Sequence, residues 1–262
     1  MIAQFILGVI FLLTLLFVRP YAPAVPSSEL ANLSFASFGA ARGAESQKSY
    51  PLENLILEAE SAYVFDLSAD QVLYEKNSVL SRPLASLTKL MTVLVFEERA
   101  PGGIFIPISL EAVQQEGDSG FLVGERFRKE DLIDFILVAS SNDAAWAASE
   151  FIGSGFLSLM NERARELGLS GTSFVNPQGL DIVSGSAATP GALGSAWEAA
   201  RLLEYIFENH PGLLEKTSLA EIEIASEAGR RIRAQNTNSA LGAIPSLLAA
   251  KNQCSVVHRQ IV

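Results

Sequence analysis

Two periodicities run through the chain from about residue 55 onward. Ala62 to Leu67 and Val72 to Glu75 read as short strands. The turn-prone Ser68-Ala69-Asp70 lies between them, so a β-hairpin is expected. A longer period follows. Leu87, Leu90, Met91, Leu94 and Val95 recur at i, i+3, i+4, i+7 and i+8, which predicts an amphipathic helix with one apolar face. Ser86 and Lys89 fall beside that stripe on neighbouring turns. Leu132, Ile133, Phe135, Ile136 and Ala139 form a second helical face that stops at Ser140-Ser141-Asn142-Asp143. A further helix is expected from Ala144, capped by Asn142 or Asp143. Helices also fit Phe156 to Leu167 and Ser195 to Glu208, and "AEIEIAS" with "RRIRAQNT" predicts a second strand pair. Strands, then helices, then strands again is the pattern of an α+β domain.

The N-terminal pattern is different in kind. Phe5 to Val18 is apolar and uncharged, too short for a comfortable membrane span and near the upper limit of a signal-peptide core. Residues 1–24 are therefore expected to be a signal peptide or a membrane anchor, and the chain to be exported. No Lys or Arg precedes the run, and Arg19 follows it, so the charge bias assigns no orientation. Residues 25–54 are rich in Ala, Ser and Pro without a sustained period and read as a flexible tether. Residues 55–262 are left as the folded domain.

Composition narrows the chemistry. With 262 residues, 49% of them hydrophobic and 18% charged, the chain can bury a real core. A formal net charge of -10 disfavours nucleic acid as a partner, since phosphate backbones require basic patches. Cys254 is the sole cysteine, which excludes an intramolecular disulfide. His210 and His258 are the only imidazoles, too few for a multi-ligand zinc site or a convincing Ser-His-Asp triad. No cofactor is called for. His210, in "ENHPG", reads as a helix-ending residue.

With no usable histidine, the base nearest Ser86 is Lys89. A lysine serves as a base only when its ammonium form is disfavoured. Desolvation by the apolar stripe and the positive end of the helix dipole both act in that direction. Ser140-x-Asn142 supplies a second hydroxyl and a carboxamide, able to relay a proton and to hold a carbonyl or the lysine. Taken singly, each motif has a plain alternative: a capping serine with a surface lysine, and a tetrapeptide that ends one helix and caps the next. Together and in this order they match the S-x-x-K, S-x-N, K-T-G series of penicillin-binding enzymes and β-lactamases.

Over most of Ser61 to Lys251 the chain resembles the D-alanyl-D-alanine carboxypeptidases of the low-molecular-weight penicillin-binding type. The resemblance rests on "SAYVFDLSADQVLYEKN", "PLASLTKLMT", "EGDSGFLVGERF", "VASSNDAA", "MNERARELGLSGTSFVNPQGLD" and "NTNSALGAIPSLLAAK". It implies a transpeptidase-like α+β fold, with an antiparallel sheet and a helical block. It also implies Ser86 as acyl-ester nucleophile, Lys89 as its base, and Ser140 with Asn142 as the second catalytic pair. The implied substrate is the D-Ala-D-Ala end of a peptidoglycan stem peptide, with β-lactams acylating the same serine. The segment "LGLSGTSFVNPQGLD" is similar to the carboxypeptidase pattern and not to the hydrolytic-glutamate loop of a class A β-lactamase.

The third motif departs from the family. Lys251 matches the motif lysine in position and is the expected substrate-binding residue, but Asn252 and Gln253 follow where threonine and glycine belong. That change predicts a truncated or frameshifted C-terminus with missing sheet strands. The alternative to an active carboxypeptidase is then an impaired peptidoglycan-binding remnant. Lys216-Thr217-Ser218 lies where the family has ordinary structure and is expected to be a decoy.

Overall fold

The computed structural model describes Asn54, residues 56–67, residues 69–238 and Leu241. The expected leader, most of the tether and Lys251 lie outside the described residues. Strands β1 (Ala62–Asp66) and β2 (Gln71–Lys76) form the expected antiparallel hairpin, with a register shift between Val64 and Phe65. Short strand β3 (Arg82–Pro83) leads into a 3-10 turn over Ala85–Leu87 and then helix α1 (Thr88–Arg99). Strand β4 (Phe105–Pro107), the single-turn helix α2 (Leu110–Val113) and strand β5 (Arg126–Arg128) precede helix α3 (Lys129–Val138). Helices α4 (Asn142–Ile152) and α5 (Phe156–Glu166) complete the helical block.

The remaining elements are β6 (Ser173–Phe174), β7 (Ile182–Ser184), β8 (Ala187–Thr189), β9 (Ala192–Gly194), helix α6 (Ala196–Asn209), and strands β10 (Glu221–Ala225) and β11 (Arg231–Gln235). All pairings between these strands are antiparallel among the described residues. They form a three-stranded sheet in the order β3-β9-β6 and separate two-stranded pieces, not one continuous sheet.

Helix α1 is the axis of the domain, in contact with α3, α4, α5 and α6. Its sequence period suggested a single greasy face, yet Thr88, Thr92 and Val93 are as buried as Leu90 and Leu94. A helix surrounded on every side must satisfy its polar side chains internally. Thr92 Oγ1 does so by donating to Pro177 O at 2.6 Å. The hairpin β10–β11 covers α3, and its burial alternates as a half-buried strand should, with Ile222, Ile224 and Ile232 inward.

Helices α2, α4 and α6 each start behind a serine. Ser195 caps α6 in a capping box with Glu198. At α4 the cap is Ser141, whose hydroxyl accepts from Ala144 N–H at 3.1 Å. The helix thus begins at Asn142, not at Ala144, and neither Asn142 nor Asp143 is the cap. The reason is local: Ser141 has extended backbone angles, as a cap requires, and its shorter side chain reaches the third N–H. His210 is the C-terminal cap of α6, as its sequence setting suggested. Lys216 is bonded to Asp134 of α3, and Thr217 is buried and donates to Leu214 O at 2.7 Å. The K-T-S triplet therefore joins structural elements, with side-chain bonds to Asp134, Leu214 and Glu215.

Candidate active site

Ser86 lies in the 3-10 turn that leads into α1, and Lys89 one turn further on. Lys89 Nζ donates to Ser86 Oγ at 2.9 Å. Ser140 Oγ donates to the same oxygen, also at 2.9 Å, across 54 residues of sequence. Ser86 is 3% exposed and Lys89 1%. Burial at that level disfavours a charged amine unless polar atoms surround it. Lys89 Nζ reaches one such atom in Gln178 O, at 3.1 Å.

Two residues around this cluster have left-handed backbone. Ala85, just before Ser86, has φ 44°, and Ser140 has φ 58°. L-residues with a Cβ pay for that conformation, and it persists only where the surroundings over-determine it. Ala85 is fixed by the turn and by its neighbour Leu84, whose N–H donates to Ala192 O of β9 at 3.0 Å. The three-stranded sheet therefore sets the entry of the chain into Ser86.

The segment Asn176-Pro177-Gln178-Gly179-Leu180 forms the floor beneath Lys89. Asn176 Oδ1 accepts from Gly179 N–H at 2.7 Å and Leu180 N–H at 3.1 Å, and its Nδ2 donates to Leu180 O at 2.6 Å. This Asx-type clamp turns the carbonyls of Pro177 and Gln178 toward α1, where Thr92 and Lys89 take them. Gln178 and Asn176 were not singled out as site residues from the sequence. The available signal was the turn-forming cluster of Asn, Pro and Gly.

Asn142 lies on the first turn of α4. Its Nδ2 donates to Glu116 O at 2.7 Å, while its Oδ1 is buried without a hydrogen-bond partner. The amide nitrogen thus holds a loop and not the lysine, as the sequence had allowed. Ser86, Lys89 and Ser140 are brought into one hydrogen-bonded cluster, and Asn142 flanks it two residues from Ser140. Chemically, a hydroxyl in contact with an amine and a second hydroxyl is arranged for nucleophilic attack with proton relay. Lys251 falls outside the described residues.

The profile of the D-alanyl-D-alanine carboxypeptidase family matches residues 46–246. Among individual relatives, "D-alanyl-D-alanine carboxypeptidase DacF" of Bacillus subtilis is 30% identical over 203 residues, covering 74% of this chain and 50% of that protein. The chain thus spans about half the length of that curated relative. A penicillin-binding protein of Listeria monocytogenes, solved in its ampicillin-bound form, is similar at 30% identity and TM-score 0.59, covering 76% of this chain and 80% of that one. A D-alanyl-D-alanine carboxypeptidase of Mycobacterium tuberculosis, at 23% identity and TM-score 0.67, covers 75% of this chain and 73% of its own and shares the fold. The α+β architecture is therefore that of penicillin-binding DD-peptidases. The matched region holds the whole helical block and every residue of the Ser86, Lys89 and Ser140 cluster, and the chain belongs to the D-alanyl-D-alanine carboxypeptidase family.

Proposed function

We propose that this protein is a serine-type D-Ala-D-Ala carboxypeptidase that removes the terminal D-alanine of peptidoglycan stem peptides through an acyl-enzyme on Ser86. The observation that carries this reading is the placement of Ser86 Oγ 2.9 Å from both Lys89 Nζ and Ser140 Oγ. With the amine neutral, the contact between Lys89 and Ser86 runs in the reverse sense, and Lys89 takes the hydroxyl proton as Ser86 attacks the carbonyl of the penultimate D-alanine. The C–N bond then breaks. The departing amine of D-alanine receives a proton through Ser140, and water later hydrolyses the ester, restoring the Ser86 hydroxyl. Lys251, the motif lysine by position, would be a substrate-binding residue.

β-Lactams would acylate the same serine, in keeping with the ampicillin-bound form of the Listeria relative. The setting we infer is the cell envelope, reached through the apolar N-terminal segment, whether cleaved or retained as an anchor. Asn252 and Gln253, in place of threonine and glycine, favour a second reading: a peptidoglycan-binding protein impaired in turnover. Two measurements on the purified full chain separate the possibilities. A fluorescent penicillin should label the protein, and Ser86→Ala should abolish labelling; labelling of the alanine variant removes Ser86 from this role. Release of D-alanine from a peptide ending in D-Ala-D-Ala supports the carboxypeptidase, whereas labelling without release supports the impaired form.

A further inference from the structure

Residues 114–125, between α2 and β5, meet the site at three points. Gln115 Oε1 accepts from Gln178 Nε2 at 2.7 Å, and Glu116 O accepts from Asn142 Nδ2, also at 2.7 Å. Ser119 Oγ lies 2.7 Å from Ser141 Oγ. The loop thus touches both the turn whose Gln178 carbonyl takes Lys89 and the two residues that follow Ser140. Ser140 needs such support, since its left-handed backbone at φ 58° persists only where the surroundings hold it.

Little in the loop's own backbone fixes its shape. Gly120, next to Ser119, has φ 75°, and a Cβ there would meet open space, so no packing constrains it. Phe121 is an apolar anchor, edge-on to Phe127 and Phe135, but Leu122 and Val123 are exposed. The polar anchor is Arg230, the last residue before β11. Its Nε donates to Glu125 Oε1 at 2.5 Å and its Nη2 to Glu125 Oε2, while Nη2 also donates to Gly120 O at 2.8 Å. Glu125 Oε2 in turn accepts from Leu122 N–H at 3.0 Å. One guanidinium therefore ties residues 120–125 together, one peptide away from Ser119. The Glu125 side chain is 14% exposed, and the two-pronged bond from Arg230 holds its carboxyl below the ordinary value. The hairpin that carries Arg230 is fixed in its turn: Glu227 N–H donates to Arg126 O at 2.7 Å, and Ile222, Ile224 and Ile232 are buried.

We propose that Arg230 is a positioning residue: by clasping Glu125 and the Gly120 carbonyl it holds the loop so that Ser119 and Glu116 keep the Ser140-Ser141-Asn142 segment aligned with Ser86. This rests on the reading of Ser86 and Ser140 given above. The geometry calls for a planar fork, because the same group must meet both carboxylate oxygens and a carbonyl, which a single ammonium cannot reproduce.

The test uses the full chain with Arg230→Ala, Arg230→Lys, Glu125→Ala and the double variant Arg230→Ala/Glu125→Ala. Arg231→Ala, which removes an exposed ion pair with Glu223 on the same hairpin, is the control. Acylation by a fluorescent penicillin at saturating concentration should slow by about 10- to 100-fold in Arg230→Ala and in Glu125→Ala, the scale expected for a displaced reacting group. Apparent affinity for the penicillin should change little. Because both residues act through one clasp, the double variant should be no slower than the slower single. Arg230→Lys should fall between wild type and Arg230→Ala, and Arg231→Ala should acylate as wild type does. Independently of activity, amide hydrogen exchange over residues 117–125 should speed up in Arg230→Ala while that of α1 stays unchanged. Should Arg230→Ala fail to fold, Arg230→Lys and Glu125→Ala carry the same comparison. Wild-type rates in the Arg230 variants, losses that multiply in the double variant, or unchanged exchange would overturn the proposal. A wild type that the penicillin does not label, but whose loop loosens in Arg230→Ala, would instead overturn the reading of Ser86 and leave the clasp standing.

Discussion

The carbonyl oxygen of Ala85 occupies the space that a side chain at position 179 would need: a Cβ on Gly179 would lie 1.9 Å from it. The turn that carries Ser86 and the turn that holds Lys89 therefore pack backbone against backbone. Gly179 also has φ 81°, a left-handed conformation that costs an L-residue about 1–2 kcal/mol. Gly179→Ala should add an overpacking penalty of about 1–3 kcal/mol. The expected result is a clear drop in the urea midpoint together with loss of penicillin labelling, since moving either turn moves Ser86 or Gln178. Normal stability and labelling would mean that the two turns can separate freely.

Lys89→Arg distinguishes a base from a mere positive charge. Guanidinium remains protonated at any pH the protein tolerates, and its planar fork does not fit the space around a single ammonium nitrogen. Acylation should fall by at least about a hundredfold, the lower range for loss of a positioned general base. An arginine variant that acylated at the wild-type rate would show that charge alone serves Ser86.

Lys129 offers a stability test away from the site. Its Nζ is buried, donates to Glu97 O at 3.0 Å and Ala100 O at 2.8 Å, and pairs with Glu97 Oε2 at 2.7 Å. It thereby closes the C-terminal end of α1 from α3. Lys129→Met fills similar volume but strands these acceptors, which should cost about 2–3 kcal/mol. The figure is below that of a fully buried pair because Glu97 is partly exposed. A lower denaturant midpoint at unchanged slope would register it.

Asp143 also predicts a pH dependence of folding. Its carboxyl titrates at about 6 in the folded protein, against an ordinary value of 3.8. Between those values the folded state binds the proton that the unfolded chain has already released, so stability falls as pH rises. The contribution is fully present below 3.8 and is lost as pH passes through about 6. Asp143→Asn should therefore gain in stability relative to wild type between acidic and neutral pH. Urea unfolding of both proteins across that window tests the sign, and a difference that stays constant with pH would refute it.

The elements most legible in the sequence were those with sustained period. The first hairpin, α5, α6 and the β10–β11 pair lie within a residue or two of their expected bounds. Strands of two or three residues, such as β3, β6 and β9, have too few positions to show alternation, and only their distant partners define them. The same holds within the site. The nearness of Ser86 to Lys89, and of Ser140 to Asn142, was legible because each pair is separated by no more than about one helical turn of chain. Gln178 contributes a backbone carbonyl, which leaves no residue-type signature, and Ser119 meets Ser141 only because the fold brings a distant loop to it. Period likewise gave α1 one apolar face, because local sequence does not record the Pro177 carbonyl that lets Thr92 be buried.

Contacts at Ser86 and Lys89 close chain separations of 54 and 89 residues. Loops of that length close late and only when the intervening elements have found their partners. A half-folded chain would own every residue of the site and none of its geometry, leaving its serine as inert as any surface hydroxyl. Reaction with a β-lactam would then count fully folded molecules, one event per chain, and could serve as a census of refolding against which slower, global probes are timed.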